Sequence, residues 1–209
     1  MSLWALVPLK TLGQGKTRLM PELPFLGRQR LVETMLDRVM EALAGSELVE
    51  HIAIVGSDPD QCPPAVFHLQ DAGHGLNHAL TMATQQLHTA GADELLVMHA
   101  DLPLVRSEEI DALILAGRRR GLALASDRHG QGTNAIFLSQ PGTFPFRFGR
   151  HSLMRHMAAA EASGLRPALS QAPGLLFDVD TAQDLSMLAS MQMTVGASIS
   201  TACRSISHG

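Results

Sequence analysis

The chain has 209 residues, a formal net charge of −4 at neutral pH and 45% hydrophobic residues, enough for one well-filled core with no composition break calling for a second domain. A mildly acidic chain offers no basic surface to a nucleic-acid backbone, which sets that class of partner aside. Cys62 and Cys203 stand far apart without metal-ligand or CxxC spacing and read as reduced thiols of a cytoplasmic protein; no apolar run suits a membrane span or a signal peptide.

The first element is an apolar strand, Leu3–Val7, that empties into a loop holding Lys10, Gly13, Gly15, Lys16 and Arg18. Two glycines and three cations there can bring bare N–H groups and positive charge against a polyphosphate. Gly15-Lys16-Thr17 matches the end of a P-loop, but Lys10 stands where its first glycine belongs, and Pro21 and Pro24 oppose the helix that should follow. Arg18 takes the place of the third glycine of a dinucleotide fingerprint. A flexible cationic loop remains, with an ordinary solvated turn as its alternative.

Val32, Met35, Leu36, Val39 and Leu43 then recur at helical spacing, followed by strands at His51–Val55 and Ala65–Leu69. Leu76, Leu80, Ala83 and Leu87 mark a second helix, and Glu94–His99 a strand. Ser107 opens a third helix with Glu108 and Glu109 in its first turn, opposite the helix dipole. Strands are expected at Leu122–Ala125, Asn134–Leu138 and Leu175–Val179, and Thr181 with Asp184 forms a capping box for a last helix. One domain over 1–190 and a loosely held Ser/Thr-rich tail over 191–209 are expected. Strands alternating with helices make this an α/β fold with a mostly parallel central sheet flanked by helices.

Four further segments carry chemistry. Just past the strand Glu94–His99 stands Asp101, and Pro103 turns the chain away, so a carboxylate faces the region outside the strand ends where α/β sheets gather ligands, with an ordinary turn residue as the alternative. Asp178 and Asp180, two apart in an extended stretch, share a face. Two facing carboxylates repel unless a cation separates them, and their hard oxygens suit Mg²⁺. Asp180 as a mere helix cap is the alternative, one that leaves Asp178 unexplained. Ser126–Asn134 is rich in glycine and leads through Thr133 into a strand, inviting backbone approach by an anion. Phe148–His156 opens a helix with Ser152 as N-cap, where free N–H groups bind phosphate, assisted by Arg150 and Arg155. Each of the last two also reads as an ordinary turn or cap. No Ser-His-Asp or Cys-His arrangement is visible.

These segments, in this order and over about residues 3–188, resemble the 2-phospho-L-lactate guanylyltransferase family of deazaflavin coenzyme F-420 biosynthesis. The most specific parts are Val7-Pro8-Leu9-Lys10 with Gly15 to Leu19, Ala100-Asp101-Leu102-Pro103, Asp127-Arg128-His129-Gly130 with Gly132-Thr133-Asn134, Phe148-Gly149 with Ser152 and Arg155-His156, and Asp178 to Thr181 with Asp184-Leu185. The resemblance implies a Rossmann-like nucleotide-diphospho-sugar transferase fold. It implies GTP as donor, two Mg²⁺ ions, and a small phosphorylated carboxylic acid as acceptor: 2-phospho-L-lactate, phosphoenolpyruvate or 3-phosphoglycerate. Carried over by position, Asp101, Asp178 and Asp180 hold the metal. Thr133, Gly149 and Ser152 hold the acceptor. Lys10, Gly15, Lys16, Arg18 and Asn77 meet the nucleotide, with Lys16, Arg18 and Asp101 catalytic. Asp71-Ala72-Gly73-His74 matches the family less well, so base recognition is the least defined part.

The chemistry is consistent with this. A phosphate monoester is already anionic at neutral pH, so its oxygen can attack the α-phosphorus of GTP without a protein base. The obstacle is bringing two polyanions together, which metal ions and cationic side chains lower. Two rivals stand beside it. Asp178-Val179-Asp180 is literally the DxD of metal-dependent glycosyltransferases, and other sugar or molybdenum-cofactor nucleotidyltransferases share the first two motifs. A catalytically silent nucleotide-binding regulator is the reading from a different class. Pairing into a homodimer is left open.

Overall fold

The computed structural model describes residues 1–9, 16–56, 58–59, 63, 66–142 and 144–191. Lys10, Gly15, Cys62, Cys203 and the expected tail beyond 191 lie outside the described residues. One seven-stranded sheet organises the chain, in the order β3-β2-β1-β4-β6-β5-β7. Its strands are β1 (Leu3–Leu9), β2 (His51–Gly56), β3 (Phe67–Gln70), β4 (Glu94–Met98), β5 (Leu122–Ser126), β6 (Thr133–Leu138) and β7 (Ala168–Ser170). All neighbouring pairs are parallel except the two made by β6, which runs antiparallel to β4 and β5.

Helices cover both faces, which is why the inner strands read as continuous apolar runs. On β1, Leu3, Ala5 and Val7 face one layer and Trp4 and Leu6 the other, the period-2 alternation of a pleated strand. The first layer is built by α1 (Phe25–Ala44) and α3 (Ser107–Arg120) with the single turn α5 (Pro173–Leu176). The second is built by α2 (Leu76–Thr89) and α4 (Ser152–Ala162), with Phe144, Phe146 and Phe148 packed beside them. A last helix, α6, occupies 182–191. Among the described residues no helix is long and apolar enough to cross a membrane.

Local chemistry explains the helix ends. After Lys16 the chain forms only a single 3-10 turn, Thr17–Leu19, before the prolines, and Pro24 directly precedes α1, which starts at Phe25. Glu109 reaches back to the Arg106 N–H at 3.1 Å and its other oxygen accepts the Gly174 N–H at 3.0 Å, tying α3 to α5. The capping box before α6 is present: Asp184 accepts the Thr181 N–H at 2.8 Å and its own N–H donates to Thr181 Oγ1 at 3.3 Å.

Two expectations need correction. Leu175–Val179 is not a strand: Leu175 and Leu176 belong to the turn α5, which Pro173 opens, and 177–180 runs outside the sheet. A short apolar run cannot tell a strand from a buried helical turn. Instead, β7 is the seventh strand, pairing with β5 at the sheet edge. Ser152 is the first residue of α4 rather than its cap; the cap is His151, in the left-handed region at φ 54°.

Candidate active site

From β1 the chain passes to β2 on one side of the sheet, while β4 lies on the other, so the crevice between β1 and β4 is a topological switch point. Lys16 follows β1 and Asp101 follows β4, and they meet there. Lys16 Nζ donates to Asp101 Oδ2 at 2.5 Å and to Asp180 Oδ1 at 2.7 Å. The Lys16 side chain is only 9% exposed while that of Asp180 is 47% exposed, so the ammonium lies beneath the carboxylates with Asp180 toward solvent. The backbone fixes the third partner: Val179 N–H donates to Asp101 O at 3.3 Å, and Val179 is buried. Asp178 and Asp180, on either side of it, both line a cleft of ≈ 310 Å³ together with Arg18 and Arg128. Asp178 and Asp180 thus share one cleft although no strand carries them.

Electrostatics follow from this crowding. Burial pushes the Asp178 carboxyl up, and the charges of Asp101 and Asp180 add to it, so that it titrates at about 6. A hydrogen bond from Asn134 opposes the shift. Burial would also raise Asp101, but Lys16, aided by His99, holds it below the ordinary carboxylate range. Burial works against the Lys16 charge, and Asp101 and Asp180 more than offset it, raising its pKa. Asp101 Oδ1 is buried with no hydrogen-bond partner among the described residues. The described residues form no closed group of three or more metal-ligating side chains; Lys16 bridges two of the three aspartates expected to hold magnesium.

Next to the aspartates stands the β5–β6 loop. Asp127 Oδ1 accepts the N–H groups of His129 at 3.1 Å and Gln131 at 2.8 Å, so two amides expected to face an anion are used inside the loop. Gln131 O in turn accepts the Leu153 N–H at 3.1 Å, joining the loop to the start of α4. Arg128 pairs through Nη2 with Asp184 Oδ1, and its guanidinium carbon lies 5.3 Å from the Phe177 ring centroid. Asp184 Oδ2 also accepts the Asp180 N–H at 2.8 Å, so this pair braces the segment bearing Asp180.

Thr133 and Ser152 are both nearly fully buried. The Ser152 N–H donates to Gly149 O at 3.1 Å, so with the Leu153 N–H two amides of the α4 N-terminus are already committed. Gly149 takes φ 114°, a conformation that favours glycine, with Arg155 Nη2 3.1 Å from where a Cβ would stand. His156, fully buried, accepts the Arg147 N–H through Nε2 at 2.8 Å. A backbone amide can only donate, so Nε2 is bare and Nδ1 carries the proton it shares with Thr133 Oγ1 at 3.0 Å. Burial, then Arg155, His99 and Arg147, lowers the His156 pKa to about 4, keeping it neutral. Asn77, expected at the nucleotide, spends both ends of its amide on one peptide: Oδ1 accepts the Phe148 N–H at 2.7 Å and Nδ2 donates to Phe148 O at 3.1 Å. Arg128 and His156 were visible only as members of motifs; their roles are tertiary.

Residues 3–193 match the family model described as "Guanylyl transferase CofC like". The chain belongs to that family. It is 40% identical to the phosphoenolpyruvate guanylyltransferase of Sphaerobacter thermophilus, over 93% of this chain and 95% of that one. It is 37% identical to the protein of the same name from Rubrobacter xylanophilus, over 90% and 94% of the two chains. Among solved structures, a protein of Desulfovibrio desulfuricans G20 assigned as a nucleotide-diphospho-sugar transferase superposes with a TM-score of 0.71 at 21% identity, covering 90% of this chain and 87% of that one. A 4-diphosphocytidyl-2C-methyl-D-erythritol synthase gives 0.60 at 18% identity, over 90% and 96%. These likenesses establish the nucleotide-diphospho-sugar transferase fold. Family membership makes the chain an enzyme, a guanylyltransferase, and sets aside the glycosyltransferase and silent-regulator readings.

Proposed function

We propose that the protein moves GMP from GTP onto the phosphate of a small phosphorylated carboxylic acid, phosphoenolpyruvate before 2-phospho-L-lactate or 3-phosphoglycerate, in a cytoplasmic step of coenzyme F-420 biosynthesis. The observation that carries this reading is the meeting of Lys16, Asp101 and Asp180 at the switch-point crevice of a guanylyl transferase family member. The name shared by its relatives supports the choice of phosphoenolpyruvate. An oxygen of the acceptor phosphate forms a bond to the α-phosphorus of GTP as the bond to the β-phosphate oxygen breaks, and pyrophosphate leaves with that electron pair. The nucleophile is already anionic, so no side chain need remove a proton.

The three aspartates suit magnesium on two counts. Asp101 Oδ1 is buried and unpartnered among the described residues, and Asp178 is pushed toward its neutral form by burial and then by two like charges, which a divalent cation would offset. Asp101, Asp178 and Asp180 would hold the ion, which would supply neutralisation of the triphosphate and of the charge developing on pyrophosphate. Arg18, on the cleft wall, adds positive charge for the phosphates. Thr133, Gly149 and Ser152 form the acceptor wall.

The test is a matrix of four nucleoside triphosphates against the three acids with Mg²⁺, read by pyrophosphate release and by mass of the product. GTP with phosphoenolpyruvate should give the highest kcat/KM. Equal turnover with all four nucleotides, or no pyrophosphate with any acid, would refute the assignment.

A further inference from the structure

We propose that Asn77 is a positioning residue for the acceptor wall and not a ligand of the nucleotide. It is the second residue of α2, reached through Gly75 at φ 92°, and its amide meets one peptide 71 residues away from both sides. Accepting from the N–H and donating to the C=O of the same residue is the hydrogen-bond pattern of a strand neighbour, and it engages both amide atoms of Asn77 with one peptide. Phe148 is therefore held in rotation as well as in place. Its carbonyl also accepts from Arg155 Nη2 at 2.9 Å, and its ring packs 4.9 Å from His156 and 5.0 Å from His99.

What this holds is the approach to Gly149. Arg147, one residue before Phe148, is fixed through its N–H by His156, and His156 shares a proton with Thr133. Asn77 and His156 thus grip adjacent residues of one strand of chain, and that chain delivers Gly149 and the first turn of α4 beside Thr133. Two of the three expected acceptor residues are set by this network. The inference rests on the acceptor-wall reading of Thr133 and Gly149 given above. It departs from it in assigning Asn77, placed with the nucleotide by position in the chain, to the opposite substrate.

Steady-state kinetics separate the two roles, with GTP and phosphoenolpyruvate varied in turn for Asn77→Ala, Asn77→Asp and Thr133→Val. Asn77→Asp keeps an acceptor for the Phe148 N–H and sets an oxygen against the Phe148 carbonyl. Both Asn77 variants should raise the acceptor KM about tenfold, the scale of one or two net hydrogen bonds, with the GTP KM within about twofold. Asn77→Ser, a smaller change, stands in should the other two not fold; it should show the same split with lesser size. A rise in the GTP KM alone, an equal rise in both, or no change in either overturns the inference. Thr133→Val then tells which idea has failed. An acceptor KM raised by Thr133→Val leaves the wall standing without Asn77, whereas an unchanged one removes the wall as well.

Discussion

Asp178→Asn should make the protein more stable and nearly inactive. The Asp178 carboxyl is pushed from 3.8 to about 6, by burial first and then by Asp101 and Asp180. A carboxyl raised on folding favours the fold only while protonated. Its contribution is fully present below about 3.8 and is lost as pH rises through about 6. That interval corresponds to about 3 kcal/mol, and solvent around a half-buried carboxylate reduces it to about 1–2 kcal/mol. An uncharged amide of the same shape escapes the penalty. With divalent cations chelated, calorimetry at pH 7.5 should find the variant melting about 3–6 °C higher, and the difference should close toward pH 4. Turnover with Mg²⁺ should fall by about 10²–10³, the usual scale for losing a group that stabilises developing charge. An unchanged or lower midpoint at pH 7.5, or a difference that ignores pH, would mean that neither burial nor the two neighbouring aspartates penalise the Asp178 carboxylate. The crowding argument for a metal would fail with it.

Three further outcomes follow from other contacts. Mg²⁺ at about 100 times its Kd should stabilise the wild type by about 2.7 kcal/mol and Asp178→Asn by clearly less, as read by thermal midpoints; equal stabilisation would place the ion elsewhere. Glu94→Gln should destabilise by about 3 kcal/mol in urea titrations with kcat unchanged, because buried Glu94 takes a two-pronged bond from Arg118 far from the crevice. His156, whose pKa falls from 6.5 to about 4, lends stability that is present above about 6.5 and lost as pH falls through about 4; His156→Gln should flatten that acid limb in urea titrations, and an unchanged limb would refute the buried neutral ring.

Legibility in the sequence tracked burial and locality. β1, β2, β4, β5 and β6 were readable because helices cover both faces and leave long apolar runs. β7 has only three residues, none fully buried, and so no run to find. Leu175–Val179 looked like a strand because Leu175-Leu176-Phe177 is apolar, and the better signal, Pro173 at a helix start, was two residues away. Asp101 and Asp180 were legible because a carboxylate just past an apolar stretch is a local pattern with a fold-level meaning. Asn77 was not, since nothing near it in the chain reveals a partner at Phe148. Ser152 was misplaced by one residue for a similar reason: a hydroxyl near a helix start suggests a cap, yet His151 in the left-handed region takes that position.

The charges around the crevice tie the fold to the reaction. Among the described residues Lys16, Arg18 and Arg128 stand against Asp101, Asp127, Asp178, Asp180 and Asp184, so described cationic side chains are outnumbered at the place where a triphosphate and a phosphorylated acid must meet. Such a surface repels both substrates when alone, and low-dielectric walls strengthen the repulsion. Two of the carboxylates are already answered within the protein: Asp184 by Arg128 and two backbone N–H groups, Asp127 by the amides of its own loop. Of the remaining three, Asp101 and Asp180 share the Lys16 ammonium, and Asp178 has no ion pair among the described residues. It is this remainder, and not the total, that makes a divalent cation the natural complement of the site. The three groups come from two separated segments, and the second is held beside the first by the hydrogen bond from Val179 to Asp101 O and by Lys16, which donates to both Asp101 and Asp180.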